Sequence, residues 1–318
     1  FSVTALVCRP FCGVMSDRLH KPALLKASVI MMGIGTVGYG ISHTLPFLIF
    51  FRILNGAGFA ISSTTLIAMV AQYIPEKRMG EGIGYFGLAN VLASAAGPGL
   101  GAILAEKIGV SFVFQISACT CLAELILLSV FSFDREKKEE RPSKKLMFSD
   151  IIAVPVLGYT VTGSIFSLIN GILSAYLVMF GEALNISAIS LYFTWNALAL
   201  FLVRPAAGRL ADRKNAAAAV LPGIILTAAS MLLLCGACYG EKSAFWIIMA
   251  SAVLRGIGQG AAHPALQTSC IQKVGKERSG SAVSTFYLGG DIGQGTGPML
   301  AGVIIGKDIS TPEGYRQV

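Results

Sequence analysis

The sequence predicts an all-α membrane protein with about ten transmembrane helices, and three observations support this fold class. Of the 318 residues, 54% are hydrophobic and only 13% are charged, about half the charged share of an average soluble domain, and the mean hydropathy is +0.69. The apolar residues form long runs that are separated by short polar loops. Glycine, with 36 residues, is enriched as in closely packed membrane helices. This composition excludes a disordered chain, a collagen-like fibre and a small disulfide scaffold.

Ten apolar segments are candidates for the helices. A helix needs about 20 residues to cross the hydrocarbon layer, whereas strands of a membrane barrel are nearer ten residues and alternate in polarity. The segments do not alternate and are longer than such strands, so helices are favoured. They cover residues 1–16, 22–41, 45–72, 80–104, 109–131, 150–180, 187–210, 217–239, 244–272 and 280–305.

Lysine and arginine are distributed unevenly between alternate loops. If the loop 17–21 is cytoplasmic, the loops on that side carry 17 of the 25 basic residues and the opposite loops carry 4. Because positive residues concentrate on the cytoplasmic side, we expect a multi-pass protein of the plasma membrane with this orientation. The same distribution explains the net charge of +8 without a nucleic-acid partner.

The longest polar stretch divides the sequence into two halves. Residues 134–145 contain mixed charges and one proline, as expected of a cytoplasmic linker. We therefore predict an N-terminal helical bundle over residues 1–131, a linker over 132–149 and a C-terminal bundle over 150–318.

The two halves repeat each other. Residues 9–18 and 204–213 share Arg, Pro, Gly, Asp and Arg at the same places, 195 residues apart. Gly-Pro pairs at 97–98 and 297–298 are 200 residues apart. A nearly constant offset indicates duplication, and five segments on each side of the linker suggest a parent of six plus six helices. We expect the first helix of one half and the last helix of the other to be missing.

The loop Gly13-Val-Met-Ser-Asp17-Arg18-Leu-His20-Lys21-Pro22 resembles the G-x-L-A-D-R-x-G-R-K pattern of the major facilitator superfamily, although His20 and Pro22 replace its final Gly and Lys. A second copy begins at Gly208, and Arg52-Ile-Leu-Asn-Gly56-Ala-Gly58 is similar to the family's R-x-x-x-G-x-G pattern. The resemblance covers essentially the whole chain, as helices two to eleven of twelve. It implies two pseudo-symmetric helical bundles.

The resemblance implies a gating role for the repeated loop motif. Asp17 would face the N-terminus of the last apolar segment, near residues 279–280, and close the cytoplasmic side when the pore opens outward. The alternative is that the Asp-Arg pair only anchors a loop at the lipid headgroups. The predicted gating residues are Gly13, Asp17, Arg18, Lys21, Gly208, Asp212 and Arg213.

Residues 93–102 resemble the G-x-x-x-G-P-x-x-G-G pattern of antiporters, with alanine in place of the first and last glycine, and residues 293–302 repeat it. The resemblance implies that these residues seal the two halves against leakage, and simple close packing of helices is the alternative. The predicted packing residues are Gly97, Pro98, Gly101, Gly297 and Pro298.

Charges within the apolar segments are candidates for substrate binding and proton coupling, because a charge in the bilayer is costly and usually serves a function. We expect Asp291 and Glu124 to be possible proton carriers, with Arg52 and Arg255 as binding or tuning groups. The alternatives are snorkelling of Arg52, a salt bridge between Asp291 and Arg255, and a headgroup location for Glu124. Two candidate cations favour neutral or cationic substrates over anions.

Other motifs carry little chemistry. Residues 235–238 form a C-x-x-C without the second pair or histidine that zinc would need, and residues 82–87 imitate a dinucleotide fingerprint without a preceding strand. We predict no metal, no cofactor and no enzymatic activity.

These observations together predict a secondary active transporter of small molecules that works by alternating access, most simply by proton-coupled drug efflux. It would act in the lipid bilayer as a monomer. The alternatives are a symporter or facilitator of sugars or organic acids, and a non-transporting membrane receptor with the same fold.

Overall fold

A computed structural model describes residues 1–42, 44–131, 148–186, 188–239 and 243–306. These residues form ten long helices and one short helix, with no β-strand among them. The long helices are α1 (Ser2–Arg18), α2 (Lys21–Ile41), α3 (Leu45–Tyr73), α4 (Met79–Ile108), α5 (Val110–Val130), α7 (Leu157–Ala183), α8 (Leu191–Arg213), α9 (Ala217–Ala237), α10 (Ala244–Val274) and α11 (Ser279–Ile305), and the short helix is α6 (Phe148–Ile151). The predicted all-α fold class is confirmed.

Seven of the described helices are long and apolar enough to cross a membrane. They are α2, α3, α4, α5, α7, α9 and α10, with α4 and α7 counted together with the 3-10 turns that precede them. The other three long helices are α1, α8 and α11. Of these, α1 has 17 residues, and α8 carries three arginines and one aspartate. Helices α1 and α8 are less apolar because they carry the polar residues of the repeated motif.

Nine of the predicted segments agree with observed helices to within about four residues at each end, and the segment 150–180 does not. One helix was expected over 150–180, but α6 ends at Ile151 and α7 begins at Leu157, after a 3-10 turn over Val154–Val156. Pro155 is responsible because it lacks a backbone N–H and restricts the residue before it. Residues 132–147 of the predicted linker lie outside the described ranges, as do Lys242, Lys307 and Arg316 of the loop-charge count.

The chain divides into two compact units, and each contains helices from both halves of the sequence. The first unit comprises Phe1–Tyr73, Gly97–Leu157 and Cys270–Leu288, and the second comprises Ile74–Ala96, Gly158–Ser269 and Gly289–Val318. The start of α11 thus belongs with the first half, and the start of α4 belongs with the second half. The partition into bundles 1–131 and 150–318 stays a prediction.

In the second unit, glycines spaced four residues apart on α11 bring its backbone against α7. A Cβ added to Gly297 would lie 2.5 Å from the carbonyl oxygen of Leu168, and one added to Gly293 would lie 3.0 Å from the Leu168 nitrogen and also meet the Ser164 carbonyl. Gly289 meets Thr160 in the same way one turn earlier. Small residues at this spacing allow close contact between membrane helices, where packing rather than the hydrophobic effect drives association.

We expect Gly293→Ala to destabilise the protein by about 1–3 kcal/mol, because the added methyl group would push the two backbones apart. Gly295→Ala is the matched control on the same helix, since a Cβ there meets no heavy atom within 4 Å among the described residues. Thermal unfolding in detergent should show a lower Tm for Gly293→Ala alone. Equal Tm values for the two variants would contradict the glycine contact.

Candidate functional site

The carboxylate of Asp17, near the end of α1, caps the N-terminus of α11. Its Oδ1 accepts a hydrogen bond from the Gly280 backbone N–H at 2.7 Å, and its Oδ2 accepts one from the Ser281 N–H at 2.9 Å. The Ser281 hydroxyl donates a third bond to Oδ2 at 2.7 Å. The first N–H groups of a helix have no partner within the helix and carry a partial positive charge, so a carboxylate stabilises them. The expected location near residues 279–280 differs from the observed one by a single residue.

Gly13 allows this contact to form. A Cβ on Gly13 would lie 2.7 Å from Cβ of Ser284 and 2.9 Å from Cα of Ser281, and a Cβ on Gly280 would lie 2.6 Å from the Gly13 carbonyl oxygen. The two helices therefore approach through their backbones. Since Gly13 and Asp17 are four residues apart, they share one face of α1, and the glycine sets the distance that the carboxylate spans.

The second copy of the motif makes the same contact in the second unit. Oδ1 of Asp212, near the end of α8, accepts a hydrogen bond from the Gly80 N–H at 2.7 Å, and Oδ2 accepts one from the Glu81 N–H at 2.8 Å. Gly208 occupies the position of Gly13, since its Cβ would lie 2.9 Å from Cα of Glu81. Each contact thus joins a helix of one sequence half to a helix of the other.

The ion pairs beside the two contacts differ. Near the first contact, Arg18 Nη2 lies 3.1 Å from Oδ2 of Asp150, and Arg278 Nη2 lies 3.9 Å from Oδ1 of the same residue. Lys21 is buried, with 6% of its surface exposed, and its charge interacts with the Asp17 carboxylate. Asp150 is not among the predicted site residues, because the repeat comparison identified no equivalent residue in the other half of the sequence.

Near the second contact, Glu81 takes the place of Asp150 as the acceptor. Its Oε1 lies 2.7 Å from Nε of Arg209, and its Oε2 lies 3.1 Å from Nε of Arg78. Arg213, which corresponds to Arg18 in the repeat, is exposed at the end of α8. The backbone contact is therefore duplicated, whereas the side chains that surround it are not.

Arg9 lies two turns before Asp17 on α1 and joins three helices. Only 2% of its surface is exposed. Its Nη1 donates to Oγ of Ser63 at 2.6 Å and to Oγ1 of Thr64 at 3.2 Å, both on α3. Its guanidinium also lies 4.7 Å from the centre of the Tyr287 ring on α11, within the range of a cation–π interaction.

Arg204 holds the equivalent position on α8. Its Nη1 donates to the carbonyl oxygen of Gly87 on α4 at 2.5 Å. Gly87 and Tyr287 are 200 residues apart, and Arg9 and Arg204 are 195 residues apart, as in the rest of the repeat. The two arginines therefore brace corresponding helices. The Arg-Pro pairs in the sequence signalled this duplication but not its partners.

The predicted coupling residues lie on different helices, and the structure brings only some of them into described contacts. Arg52 is exposed on α3, with its guanidinium 5.0 Å from the Tyr39 ring centre. Glu124 is half-buried on α5, and Asp291 is half-buried on α11. Their roles in substrate binding and proton transfer stay predictions.

Arg255, the last predicted coupling residue, is buried in the second unit. Its Nη2 donates to Oδ1 of Asn170 at 2.8 Å, and its Nη1 donates to Oδ1 of Asn196 at 3.3 Å. Asn170 donates in turn from Nδ2 to Oε1 of Gln294 at 3.0 Å. The network connects α7, α8, α10 and α11. Among the described residues, no carboxylate bonds to Arg255.

The two copies of the glycine-proline motif have different surroundings. Gly297 packs against Leu168, whereas Gly97 and Gly101 have no heavy atom of the described residues within 4 Å of an added Cβ. Pro98 and Pro298 both lie inside continuous helices. The sealing role predicted for residues 97–101 therefore stays a prediction.

Among the described residues, no group of three or more His, Cys, Asp or Glu side chains could hold a metal ion.

Comparison with protein families gives one match over most of the chain. The model described as Major Facilitator Superfamily matches residues 1–298. Among curated proteins, the Multidrug resistance protein MdtG of Citrobacter koseri is 27% identical over 333 residues, which is 100% of this chain and 79% of the relative. MdtG of Escherichia fergusonii is 28% identical over 336 residues, which is 100% of this chain and 78% of the relative.

Comparison with solved structures gives transporters of the same fold. The human organic anion transporter MFSD10 (TETRAN) superposes with a TM-score of 0.82 at 17% identity, covering 99% of this chain and 78% of that chain. The proton:xylose symporter XylE superposes with a TM-score of 0.76 at 16% identity, covering 99% and 81%. These similarities confirm the predicted fold.

Removing either motif carboxylate should loosen only the helix start that it caps. Asp212→Ala should cost about 1–2 kcal/mol and raise hydrogen exchange at the amides of Gly80 and Glu81, because two N–H groups lose their acceptor. Asp17→Ala should do the same at Gly280 and Ser281. Mass spectrometry of exchange can read both regions in one sample.

Each variant serves as the control for the other, because the two contacts lie in separate compact units. Glu106→Ala, at an exposed position near the end of α4, controls for the loss of an acidic side chain. Equal exchange at both helix starts in either variant would contradict local capping.

Proposed function

Because the chain is a multi-pass membrane protein of the major facilitator superfamily, we propose that it acts as a transporter rather than an enzyme and exports small amphipathic molecules in exchange for protons. Transport would follow alternating access at a substrate site near the bilayer midplane. The protein would act as a monomer in the plasma membrane, with the motif loops and the linker in the cytoplasm.

The proposed alternating-access mechanism rests on the capping contacts that Asp17 and Asp212 make. Asp17 and Asp212 each hold the start of a helix from the other sequence half through two backbone N–H groups. A capping contact contributes about 0.5–2 kcal/mol, which is small enough to break and reform during a transport cycle. We propose that both contacts close the cytoplasmic side in the outward-open state and separate when the transporter opens inward.

Three observations support efflux as the direction. Relatives that are named multidrug resistance proteins match the whole chain, the antiporter-like motif occurs twice, and the predicted orientation places the closed contacts on the cytoplasmic side. We further propose that Asp291 carries the proton, with Glu124 as the second candidate and Arg52 as a tuning charge. Asp291 is a half-buried carboxylate within an apolar segment, where a charge is costly and usually serves a function.

Proton coupling predicts that uphill transport depends on the proton gradient. Everted membrane vesicles that contain the protein should accumulate a fluorescent amphipathic dye, and a protonophore should abolish this accumulation. Asp291→Asn should lose accumulation but retain exchange of dye down its gradient, since the amide cannot carry a proton. Glu106→Gln is the control. Accumulation that persists with the protonophore would exclude proton coupling, and an unchanged pH dependence in Asp291→Asn would remove Asp291 from this role.

The gating proposal predicts an effect on rate rather than on affinity. Asp17→Asn should slow turnover about five- to tenfold, because it weakens a contact that must reform in each cycle. The dissociation constant of the dye should change less than about twofold, because Asp17 lies outside the proposed substrate site. Turnover can be followed by dye efflux from proteoliposomes. A normal rate in Asp17→Asn would contradict gating.

A further inference from the structure

Arg255 is a buried cation whose described partners are all neutral. It lies in the first half of α10, and 3% of its surface is exposed. Its guanidinium donates to the side-chain oxygens of Asn170 and Asn196, and the phenol of Tyr192 also interacts with it. A charged side chain within a membrane helix is costly and is usually paired with an opposite charge or used for function. Amide oxygens solvate the guanidinium but leave its charge unbalanced.

The two asparagines are held with their oxygens toward the cation. Asn196 donates from Nδ2 to the carbonyl oxygen of Ala252 at 3.1 Å, so its Oδ1 is directed to Arg255. Asn170 donates from Nδ2 to Gln294, so its own Oδ1 is likewise directed to Arg255. Both orientations leave acceptors around the cation and place no carboxylate there among the described side chains.

The network also leads from the buried cation to an exposed group. Asn170 is half-buried and Gln294 is exposed. The close packing of α7 and α11 fixes this pair, since a Cβ on Gly171 would meet the Gln294 carbonyl oxygen at 2.5 Å. A molecule that reaches Gln294 is therefore one hydrogen-bonded amide away from the guanidinium.

The guanidinium has five N–H donors, and two of them make the bonds described. Its planar fork matches the two oxygens of a carboxylate, which forms shorter and stronger bonds to arginine than a neutral amide does. A ligand carboxylate can thus replace the Asn170 oxygen, and the freed amides of Asn170 and Gln294 can donate to it.

We propose that Arg255, Asn170 and Gln294 form an anion-recognising subsite that selects amphipathic substrates bearing a carboxylate. The proposal rests on the transport function proposed above and refines its substrate class. The number of cations in the sequence favours neutral or cationic substrates, whereas the environment of Arg255 favours an anion. A buried cation with no opposite charge beside it attracts a ligand anion more strongly than several cations that already form ion pairs.

The test places a carboxylate of the protein itself beside the cation. In Asn170→Asp, the new side chain can pair with Arg255 and compete with a ligand anion. Asn215→Asp is the matched control, because Asn215 accepts a bond from the Ala218 N–H at the start of α9 and an aspartate can do the same. Arg255→Gln is a second variant that removes the charge.

The probes share one apolar body and differ only in charge. They are pyrenebutyrate, pyrenebutanol and pyrenebutylamine, and each is measured for binding, by its shift of Tm in purified protein, and for transport in proteoliposomes. We expect wild type and Asn215→Asp to prefer pyrenebutyrate. Asn170→Asp and Arg255→Gln should lose about tenfold or more in pyrenebutyrate binding while keeping pyrenebutanol binding.

The outcomes separate the subsite from the transport function. Binding that prefers pyrenebutyrate in wild type and loses this preference in Asn170→Asp supports the subsite, even if no probe is transported and export is thereby contradicted. Transport with the same probe preference in wild type and Asn170→Asp overturns the subsite and leaves export intact. Equal losses for all three probes in a folded Asn170→Asp protein, or no binding of any probe to wild type, also overturn the subsite.

Discussion

The described structure depends on a capping contact between two helices. An aspartate near the end of one helix accepts hydrogen bonds from the first N–H groups of the other, and glycines let the two backbones come close enough for this. Asp17 reaches two N–H groups of α11 only because Gly13 and Gly280 have no side chains between the helices. The same requirement applies to Asp212, Gly208 and Gly80. Charge and close approach are thus inseparable, since a Cβ at either glycine would move the backbone out of reach of the carboxylate.

Duplication preserved this contact while its surroundings changed. Asp17 gains a third bond from Ser281, and its neighbours Arg18 and Arg278 pair with Asp150. At the other contact, Glu81 provides both a capped N–H group and the acceptor for two arginines. A backbone contact constrains only glycine and aspartate, so the remaining side chains could diverge. The two contacts can therefore differ in stability although their backbone geometry is the same.

Much of the fold was predictable from the sequence because long apolar runs and a fixed repeat offset are features of the chain itself. The helix boundaries followed, except where Pro155 separates α6 from α7. The resemblance of the loop motif to the family pattern implied the place of the Asp17 contact to within one residue. The sequence did not predict Asp150, because a single acidic residue beside the linker has no periodicity and no repeat partner.

The environment of Arg255 was equally beyond the sequence. Its amide partners lie 59 and 85 residues away along the chain, and only the packing of α7, α8 and α10 brings them together. A count of buried charges treats Arg52 and Arg255 alike, yet one is exposed against an aromatic ring and the other is enclosed by amides. Burial and partner chemistry, rather than charge alone, distinguish them.

The sharing of α4 and α11 between the compact units has a consequence for biosynthesis. Asp212 meets residues made 131 and 132 positions earlier, so its helix can dock as soon as it enters the membrane. Asp17 must wait for residues 263 and 264 positions later. During translation, the Asp17 carboxylate therefore lacks these N–H partners until the start of α11 has been made. The Asp212 contact can therefore form early in synthesis, whereas the Asp17 contact forms late.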